Sequence, residues 1–327
     1  MNENKTIDDK AIDEKIAEDK IIEENKIENS ETATEEIDID VLMKKARHKA
    51  EVPLGILAII LNLYILYLLA KYFILLRSGN GIISDVASWW IDLDSTEVEI
   101  LTDSEIFCIP VLFTIIVIKM FFKIKTLYHN CYAKGVRVGV NQFPKIYEIE
   151  ERLGKRFKLK RVPKVFINSD TSEIKIMGVA IKSATFVSIA PGVALYNPDI
   201  TEFIIAREFA HVYYGHYSIP LYLLNFCAYV VPFFGKAYSR CMEYSADRAA
   251  QYILGDETAK QCIVKSSVHY LLANKMDKES YLNHITQKCG LEASIYYFWL
   301  NLVSTVPINR FRIKAIYDPK KKSGRLF

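Results

Sequence analysis

The sequence lacks any closely spaced pair of cysteines. Its six cysteines are scattered over 327 residues, and none forms the C-x-x-C pattern of a zinc knuckle. The spacing also gives no sign of a disulfide framework, so we expect reduced, buried thiols. Two further features are missing: a nucleic-acid-binding motif, and a basic, apolar leader at the start of the sequence. We therefore expect no secretory signal peptide and no nucleic-acid partner.

Basic residues are scarce in the first 40 positions. This stretch holds fifteen Asp and Glu but only five Lys, a net charge of −10, so the rest of the chain carries +13. Its isoleucines recur about every five residues and make no fixed helical face. We expect the acidic tail, 1–46, to be disordered or transiently helical because it has too little apolar surface to bury. The alternative is an acidic docking arm for a partner protein.

Two long runs of the sequence are almost free of charge. The first covers 52–76 and the second covers 106–122, and both lengths suit a membrane-spanning helix. Basic residues flank both runs, whereas the stretch between them is acid-rich, which places the flanks in the cytoplasm and the loop outside. We predict a transmembrane hairpin over 47–125 in the lipid bilayer of the cell membrane. The N-terminus and the body, 126–327, are then cytoplasmic.

The body has the pattern of a mixed fold with long helices and short strands. The predicted strands cover 162–167 and 185–189, and the predicted helices cover 142–154, 200–215, 236–254, 257–274 and 292–304. An uncharged stretch, 217–235, is too short for two membrane crossings, so we expect a buried or interfacial hairpin there.

One stretch of the body is a single residue short of a metallopeptidase motif. Residues 207–211 read R-E-F-A-H, which differs from H-E-x-x-H only at the first position. In the intact motif, two histidines on one helix face bind zinc, and the glutamate acts as general base on the metal-bound water. An arginine has no lone pair to give to a metal. The interpretation of Arg207 therefore decides the interpretation of the whole site.

Several motifs in the body occur in the order found in a known family. They are at 142–144 (Q-F-P), 163–165 (P-K-V), 197–216, 239–250 (S-R-C-M-E-Y-S-A-D-R-A-A) and 304–307 (S-T-V-P), followed by Arg312. This ordered set resembles the HtpX-type membrane zinc metallopeptidases, relatives of the CAAX prenyl protease. The resemblance implies an α+β fold: a zincin-like peptidase domain, mostly helical with a small sheet, anchored by two N-terminal transmembrane helices.

The resemblance also implies roles for individual residues. His211 and Glu243 match zinc ligands, and Glu208 matches the general base. Asp247 matches a residue one turn beyond Glu243 that orients a ligand histidine. Zinc is the implied cofactor if the site is active; an inactive site needs none.

Three departures from the family fall on site positions. Arg207 stands at the first ligand, Val306 stands where the family has a histidine that stabilises the oxyanion, and Lys175 stands nearest to an asparagine of the edge strand. Because the residues that maintain the family's fold match, the pattern indicates that catalytic activity has been lost while the fold is retained. We expect Arg207 to replace the metal electrostatically by pairing with Glu208 or Glu243.

A shifted metal site is the alternative interpretation, with His216 joining His211 and Glu243. Five residues correspond to about 140° around a helix, so we expect His216 to lie away from the other two. The leading function is therefore a pseudopeptidase that binds membrane proteins, their peptide segments or a partner protease without cutting. An active zinc endopeptidase of membrane proteins with an unusual site is the alternative. A purely structural subunit of a membrane complex is the third hypothesis.

Overall fold

The computed structural model describes residues 38–77, 115, 118, 122, 129, 132–168, 186–216, 218, 233–317 and 324–326, without the side chains of 68–77 and 270. The helices are α1 (Ile39–Ala46), α2 (Glu51–Arg77), α3 (Pro144–Arg156), α4 (Pro191–Tyr196), α5 (Pro198–Tyr213), α6 (Phe234–Leu254), α7 (Asp256–Ser266), α8 (Tyr270–Ala273), α9 (Lys278–Thr286), α10 (Leu291–Val303) and α11 (Asn309–Tyr317). The strands are β1 (Gly135–Arg137), β2 (Lys164–Asn168) and β3 (Phe186–Ile189).

The described part of the body is an α+β fold, mostly helical with a three-stranded sheet, as predicted. The strand order is β1-β2-β3; β1 pairs antiparallel with β2, and β2 pairs parallel with β3. Val136 pairs with Ile167, and Val165 pairs with Val187. All four residues of β3 are buried, which suits a short apolar strand covered on both faces.

Helix α5 is the centre of the helical core. Pro198 at its first turn needs no hydrogen-bonded N–H there, and the acidic Asp199 beside it suits the positive end of the helix dipole. Apolar residues occupy nearly every side of the helix, including the fully buried Phe203 and Phe209. Side chains of this size each contribute about 1.5–3 kcal/mol on burial. Helices α3, α6 and α7 pack around α5, so its polar side chains are enclosed.

Helix α6 lies against α5 and also contacts α2, α7, α10 and α11. Gly55 of α2 faces the hydroxyl of Tyr238 on α6, where a Cβ would come within 3.2 Å of the tyrosine oxygen. The close approach lets the start of α2 reach the core of the body. Glu51, at the first position of α2, is buried as a result.

The predicted helices at 142–154, 200–215, 236–254 and 292–304 are confirmed to within a few residues. The predicted helix over 257–274 is two helices, α7 and α8, separated by a short break. Helices α4, α9 and α11 were not predicted. The end of the acidic tail, expected to be disordered or transiently helical, forms α1.

Several predictions fall partly or wholly outside the described residues. They concern the tail up to residue 37, the loop from 78, most of the second apolar run, the edge segment with Lys175 and most of 217–235. Within the described part of the chain, no single helix is both long and apolar enough to cross a membrane. Helices α1 and α2 (up to Tyr67) pass that test of length and composition only as a bent pair.

Candidate functional site

The four residues assigned by resemblance lie on the two packed helices, α5 and α6. Helix α5 carries Glu208 and His211, and α6 carries Glu243 and Asp247. Glu208, His211 and Asp247 are buried, and the Glu243 side chain is 14% exposed. Because α5 and α6 pack along their lengths, residues far apart in sequence meet at one place.

Arg207 occupies the middle of this group. Its Nη2 donates a hydrogen bond to Glu243 Oε2, and its Nε lies 2.9 Å from Asp247 Oδ1. Its Nη1 lies 3.4 Å from Glu208 Oε1. The predicted pairing of Arg207 with Glu208 and Glu243 is therefore present, and Asp247 is a third carboxylate that was not predicted to take part. We call Arg207, Glu208, Glu243, Asp247 and Arg312 the arginine–carboxylate cluster.

Asp247 is held from two sides. Arg312 of α11 donates two hydrogen bonds to it, from Nε to Oδ2 at 2.8 Å and from Nη2 to Oδ1 at 2.7 Å. Such bidentate pairs are the stronger class of ion pair. Burial alone would lower the pKa of Arg312, but Asp247, with smaller effects from Tyr244 and Glu208, outweighs burial and raises that pKa. The expected contact of Asp247 with a ligand histidine is replaced, among the described contacts, by two guanidinium groups.

His211 borders the cluster, with its Nε2 3.8 Å from Glu243 Oε1. Burial, with smaller effects from His216, Arg207 and Arg312, holds the pKa of His211 well below its ordinary value of 6.5. The ring is therefore neutral. A neutral imidazole adds no charge, so the cluster consists of three carboxylates facing two fixed positive charges.

The prediction that His216 lies away from His211 is wrong. Their Nδ1 atoms are 2.8 Å apart, so one ring donates a hydrogen bond to the other. The reason is the turn at the end of α5. Gly215 adopts a left-handed conformation (φ 71°), its N–H bonds to Val212 O, and the His216 N–H bonds to His211 O. This pattern is the Schellman motif, and it folds the chain back over the last helical turn.

A second polar group connects this turn to the start of α2. His216 Nε2 lies 3.1 Å from Glu51 Oε1, which also pairs with Arg47 Nε at 2.8 Å. Ser245 of α6 donates to Glu51 Oε2 and accepts from the His48 N–H at 2.8 Å. The pKa of Glu51 is lowered: burial would raise it, but His216, Ser245 and Arg47 together outweigh that effect.

Residues of this second group were missed by the sequence reasoning. Glu51 is separated from His216 by 165 positions and from Ser245 by 194, and no local pattern announces contacts of that range. The exception is His216, for which Gly215 was a usable signal. A glycine just beyond a helix typically takes the left-handed conformation and reverses the chain.

The residues present do not fit a zinc ion at the position the resemblance implies. Arg207 cannot ligate, and Glu243 is engaged by the guanidinium. Structural and catalytic zinc sites use at least three protein ligands. In the described ranges, no group of three or more His, Cys, Asp or Glu is arranged to hold a metal ion. Glu208, the residue that the resemblance assigns as general base, lies in the arginine–carboxylate cluster as an ion-pair partner of Arg207.

Val306, which the resemblance aligns with an oxyanion-stabilising histidine, lies in the connection between α10 and α11 and is 41% exposed. Its carbonyl accepts a hydrogen bond of 2.6 Å from Ser304 Oγ. An isopropyl side chain offers no donor to a developing negative charge.

Comparison of the chain with models of protein families, with curated proteins and with solved structures found no match in any of the three.

Proposed function

We propose that the protein is a membrane-anchored homologue of HtpX-type metallopeptidases that binds segments of membrane proteins, or a partner protease, without cutting them. The observation that carries the proposal is the position of Arg207. Its guanidinium lies where the family has its first zinc ligand, and it contacts Glu208, Glu243 and Asp247. The chemistry of the site is thereby replaced by an internal ion-pair cluster.

A charge argument supports this view. Carboxylates enclosed without a metal would repel one another, and a fixed guanidinium relieves that repulsion with directed hydrogen bonds. The cluster also ties α5 to α6, since Arg207 belongs to one helix and two of its partners belong to the other. A substitution at the ligand position thus serves the fold while removing the Lewis acid that peptide hydrolysis by this family requires.

Exposed apolar side chains support an association with the bilayer. In the part of α2 whose side chains are described, residues 51–67, eight large apolar residues are at least 46% exposed: Val52, Ile56, Leu57, Ile60, Leu63, Tyr64, Leu66 and Tyr67. Helix α10 exposes Leu291, Ile295, Trp299 and Val303 at a spacing of four residues, which is a single stripe. We propose a multi-pass protein of the cell membrane, with the N-terminus and the body on the cytoplasmic side.

The test is the zinc content per chain of the detergent-purified protein, for the natural sequence and for Arg207→His. We expect no stoichiometric zinc in the natural protein and about one zinc per chain in the variant, because the introduced imidazole would complete a three-ligand set with His211 and Glu243. The matched control is Arg207→His combined with His211→Ala, which should lose the metal again. Stoichiometric zinc in the natural protein would overturn the proposal and favour the active endopeptidase.

A second measurement separates client binding from a purely structural role. Site-specific photocrosslinking from the exposed stripe of α10 should capture segments of membrane proteins, and capture should persist in Glu208→Gln. Absence of capture by the natural protein would favour a purely structural subunit. Loss of capture in Glu208→Gln, or cleavage of the captured segment by the natural protein, would contradict binding without hydrolysis.

A further inference from the structure

Three consecutive backbone carbonyls near the end of the sequence are held by buried side chains. The Gly324 carbonyl lies 3.3 Å from His48 Nε2, and the Tyr244 hydroxyl donates to the Arg325 carbonyl at 3.0 Å. The Leu326 carbonyl accepts from Arg240 Nε at 3.0 Å, and Asn301 Nδ2 reaches the carbonyls of residues 325 and 326 at 3.4 and 3.3 Å. We call His48, Arg240, Tyr244 and Asn301 the carbonyl cradle.

The cradle is built into the core of the body. Arg240 and Asn301 are 0% exposed, and His48 and Tyr244 are also buried. Arg240 is fixed by the end of α10, where its Nη1 donates to the carbonyls of Ser304 at 2.5 Å and Leu302 at 3.5 Å. These carbonyls belong to the last turn of a helix and need outside donors. The donors of the cradle are therefore held in place by the fold and not by the segment 324–326 alone.

The fit at the first position of the segment is tight. A Cβ added to Gly324 would lie 2.1 Å from ring atoms of Tyr244, a distance that no side chain can accept without a shift. Tyr244 cannot easily retreat, because its ring stacks on His48 with 5.7 Å between centroids. The cradle thus requires glycine at this position.

The described hydrogen bonds from the cradle to the segment reach backbone carbonyls, which every residue carries. The Arg325 guanidinium covers the ring of Phe311, 5.5 Å from its centroid. Such contacts are typical of sites that bind peptides through their main chain and discriminate at one or two positions. Arg240 also keeps a spare donor: among the described residues, its buried Nη2 has no hydrogen-bond partner. A ligand with one more acceptor would satisfy it.

We propose that the carbonyl cradle is a binding site for a non-helical peptide segment with a glycine at the position of Gly324, occupied in this structure by residues 324–326 of the chain itself. A peptide supplied by another molecule takes the same place when the chain's own segment is displaced. The proposal goes beyond the pseudopeptidase function and does not depend on it, since none of its residues belongs to the arginine–carboxylate cluster.

The test uses the full chain in detergent and a fluorescein-labelled peptide with the sequence of residues 322–327. Gly324→Ala should expel the chain's own segment, and fluorescence anisotropy should then show peptide binding at least about tenfold tighter than in the natural protein. The factor reflects removal of a competitor that is held at high effective concentration. Gly290→Ala is the matched control, because a Cβ there meets nothing within 4 Å. A peptide with alanine in place of its glycine should not bind.

A second readout does not depend on Gly324→Ala remaining folded. Trypsin cleaves after Arg325, at the carbonyl that Tyr244 and Asn301 hold, so cleavage at this bond reports release of the segment. Tyr244→Phe keeps the ring and removes one donor, and it should raise that cleavage rate by roughly threefold. Equal peptide affinity in Gly324→Ala and Gly290→Ala, absence of binding in all proteins, or unchanged cleavage in Tyr244→Phe would each overturn the proposal.

Discussion

Two arginines on neighbouring helices, Arg207 of α5 and Arg240 of α6, are both enclosed but are held in opposite ways. Arg207 lies among three carboxylates, one on its own helix and two on α6. Among the residues that the structure describes, Arg240 donates to three backbone carbonyls, and burial lowers its pKa. The first arrangement compensates charge with charge within the fold. In the second arrangement, the dipoles of backbone carbonyls stabilise the charge of the Arg240 guanidinium. One of these carbonyls belongs to segment 324–326, which a peptide from another molecule can replace.

The difference between ion-pair partners and carbonyl partners decides which of the two sites can exchange a bound group for one from another molecule. An ion pair within a core is costly to break, because removing one member leaves a buried charge without compensation. A carbonyl bound to a fixed donor can be replaced by another carbonyl at little net cost, since the two bonds are alike. The arginine–carboxylate cluster therefore has the character of a structural joint, whereas the carbonyl cradle has the character of a binding site.

Arg207→Met should give the largest effect of the substitutions considered. It leaves Glu208, Glu243 and Asp247 with Arg312 as the remaining cation of the cluster, and we expect the free energy of unfolding to fall by about 3–5 kcal/mol. Urea denaturation in detergent, followed by circular dichroism, measures this loss.

Arg152→Met is the control, because it removes an ion pair with Glu202 in which the arginine side chain is 55% exposed. Exposed pairs typically contribute less than about 1 kcal/mol. If Arg207→Met cost no more than Arg152→Met, the cluster would not hold α5 to α6, and the contrast between the two arginines would fail.

Arg240→Met should cost less, about 1–3 kcal/mol, because it removes hydrogen bonds to neutral acceptors and relieves the desolvation of a buried charge. A double-mutant cycle with Gly324→Ala sharpens the comparison. Both substitutions release the same segment, so their effects on the free energy of unfolding should differ from additivity by at least about 0.5 kcal/mol.

The corresponding cycle of Arg152→Met with Gly324→Ala serves as the reference. Its two positions share no partner among the described contacts, and their effects should add within about 0.5 kcal/mol. Additivity in the Arg240 cycle as well would mean that segment 324–326 and Arg240 are energetically independent, contrary to the geometry.

The two regions also differ in how far the sequence predicts them. The contacts of Arg207 with its partners on α5 and α6 could be predicted, because spacings of three and four residues place side chains on one helix face and the ordered motifs suggested which faces meet. The pairing of Arg207 with Glu243 follows from charge once α5 and α6 are adjacent. The role of Asp247 did not follow, because Arg312 joins it from a helix, α11, that the sequence pattern had not indicated.

The carbonyl cradle could not be predicted from the sequence in that way. Its contacts are from side chains to backbone carbonyls, and a carbonyl is present at every position, so sequence carries no mark of which ones are used. The donors come from α6, α10 and the residues before α2, at separations of 24 to 276 positions from the segment. Only Gly324 hinted at a close approach, and a single glycine is a weak signal.

A third buried ionisable group, Glu150 of α3, completes the contrast, because in the described part of the chain it has neither an ion pair nor a partner for Oε2. Burial raises its pKa from 4.5 to about 7, against smaller opposing effects of the Val165 backbone and Arg137. The folded state therefore keeps a proton that the unfolded state releases above pH 4.5. The stability that this carboxyl contributes is fully present below that pH and is lost as the pH rises through about 7.

Glu150→Gln, which is neutral at every pH, should remove this dependence. We expect the variant to match the natural protein near pH 4.5 and to exceed its free energy of unfolding at pH 8 by about 1–2 kcal/mol, a value reduced for solvent screening. Urea denaturation at a series of pH values measures the difference, and Glu148→Gln, on the exposed side of α3, is the control for the change from carboxyl to amide. A constant difference between the two proteins from pH 4.5 to 8 would mean that Glu150 stays charged in the fold. In that case the fold would tolerate a buried charge at Glu150 that no ion pair compensates. The partners of Arg207 (carboxylates) and of Arg240 (carbonyls) would then not explain why the two arginine sites differ.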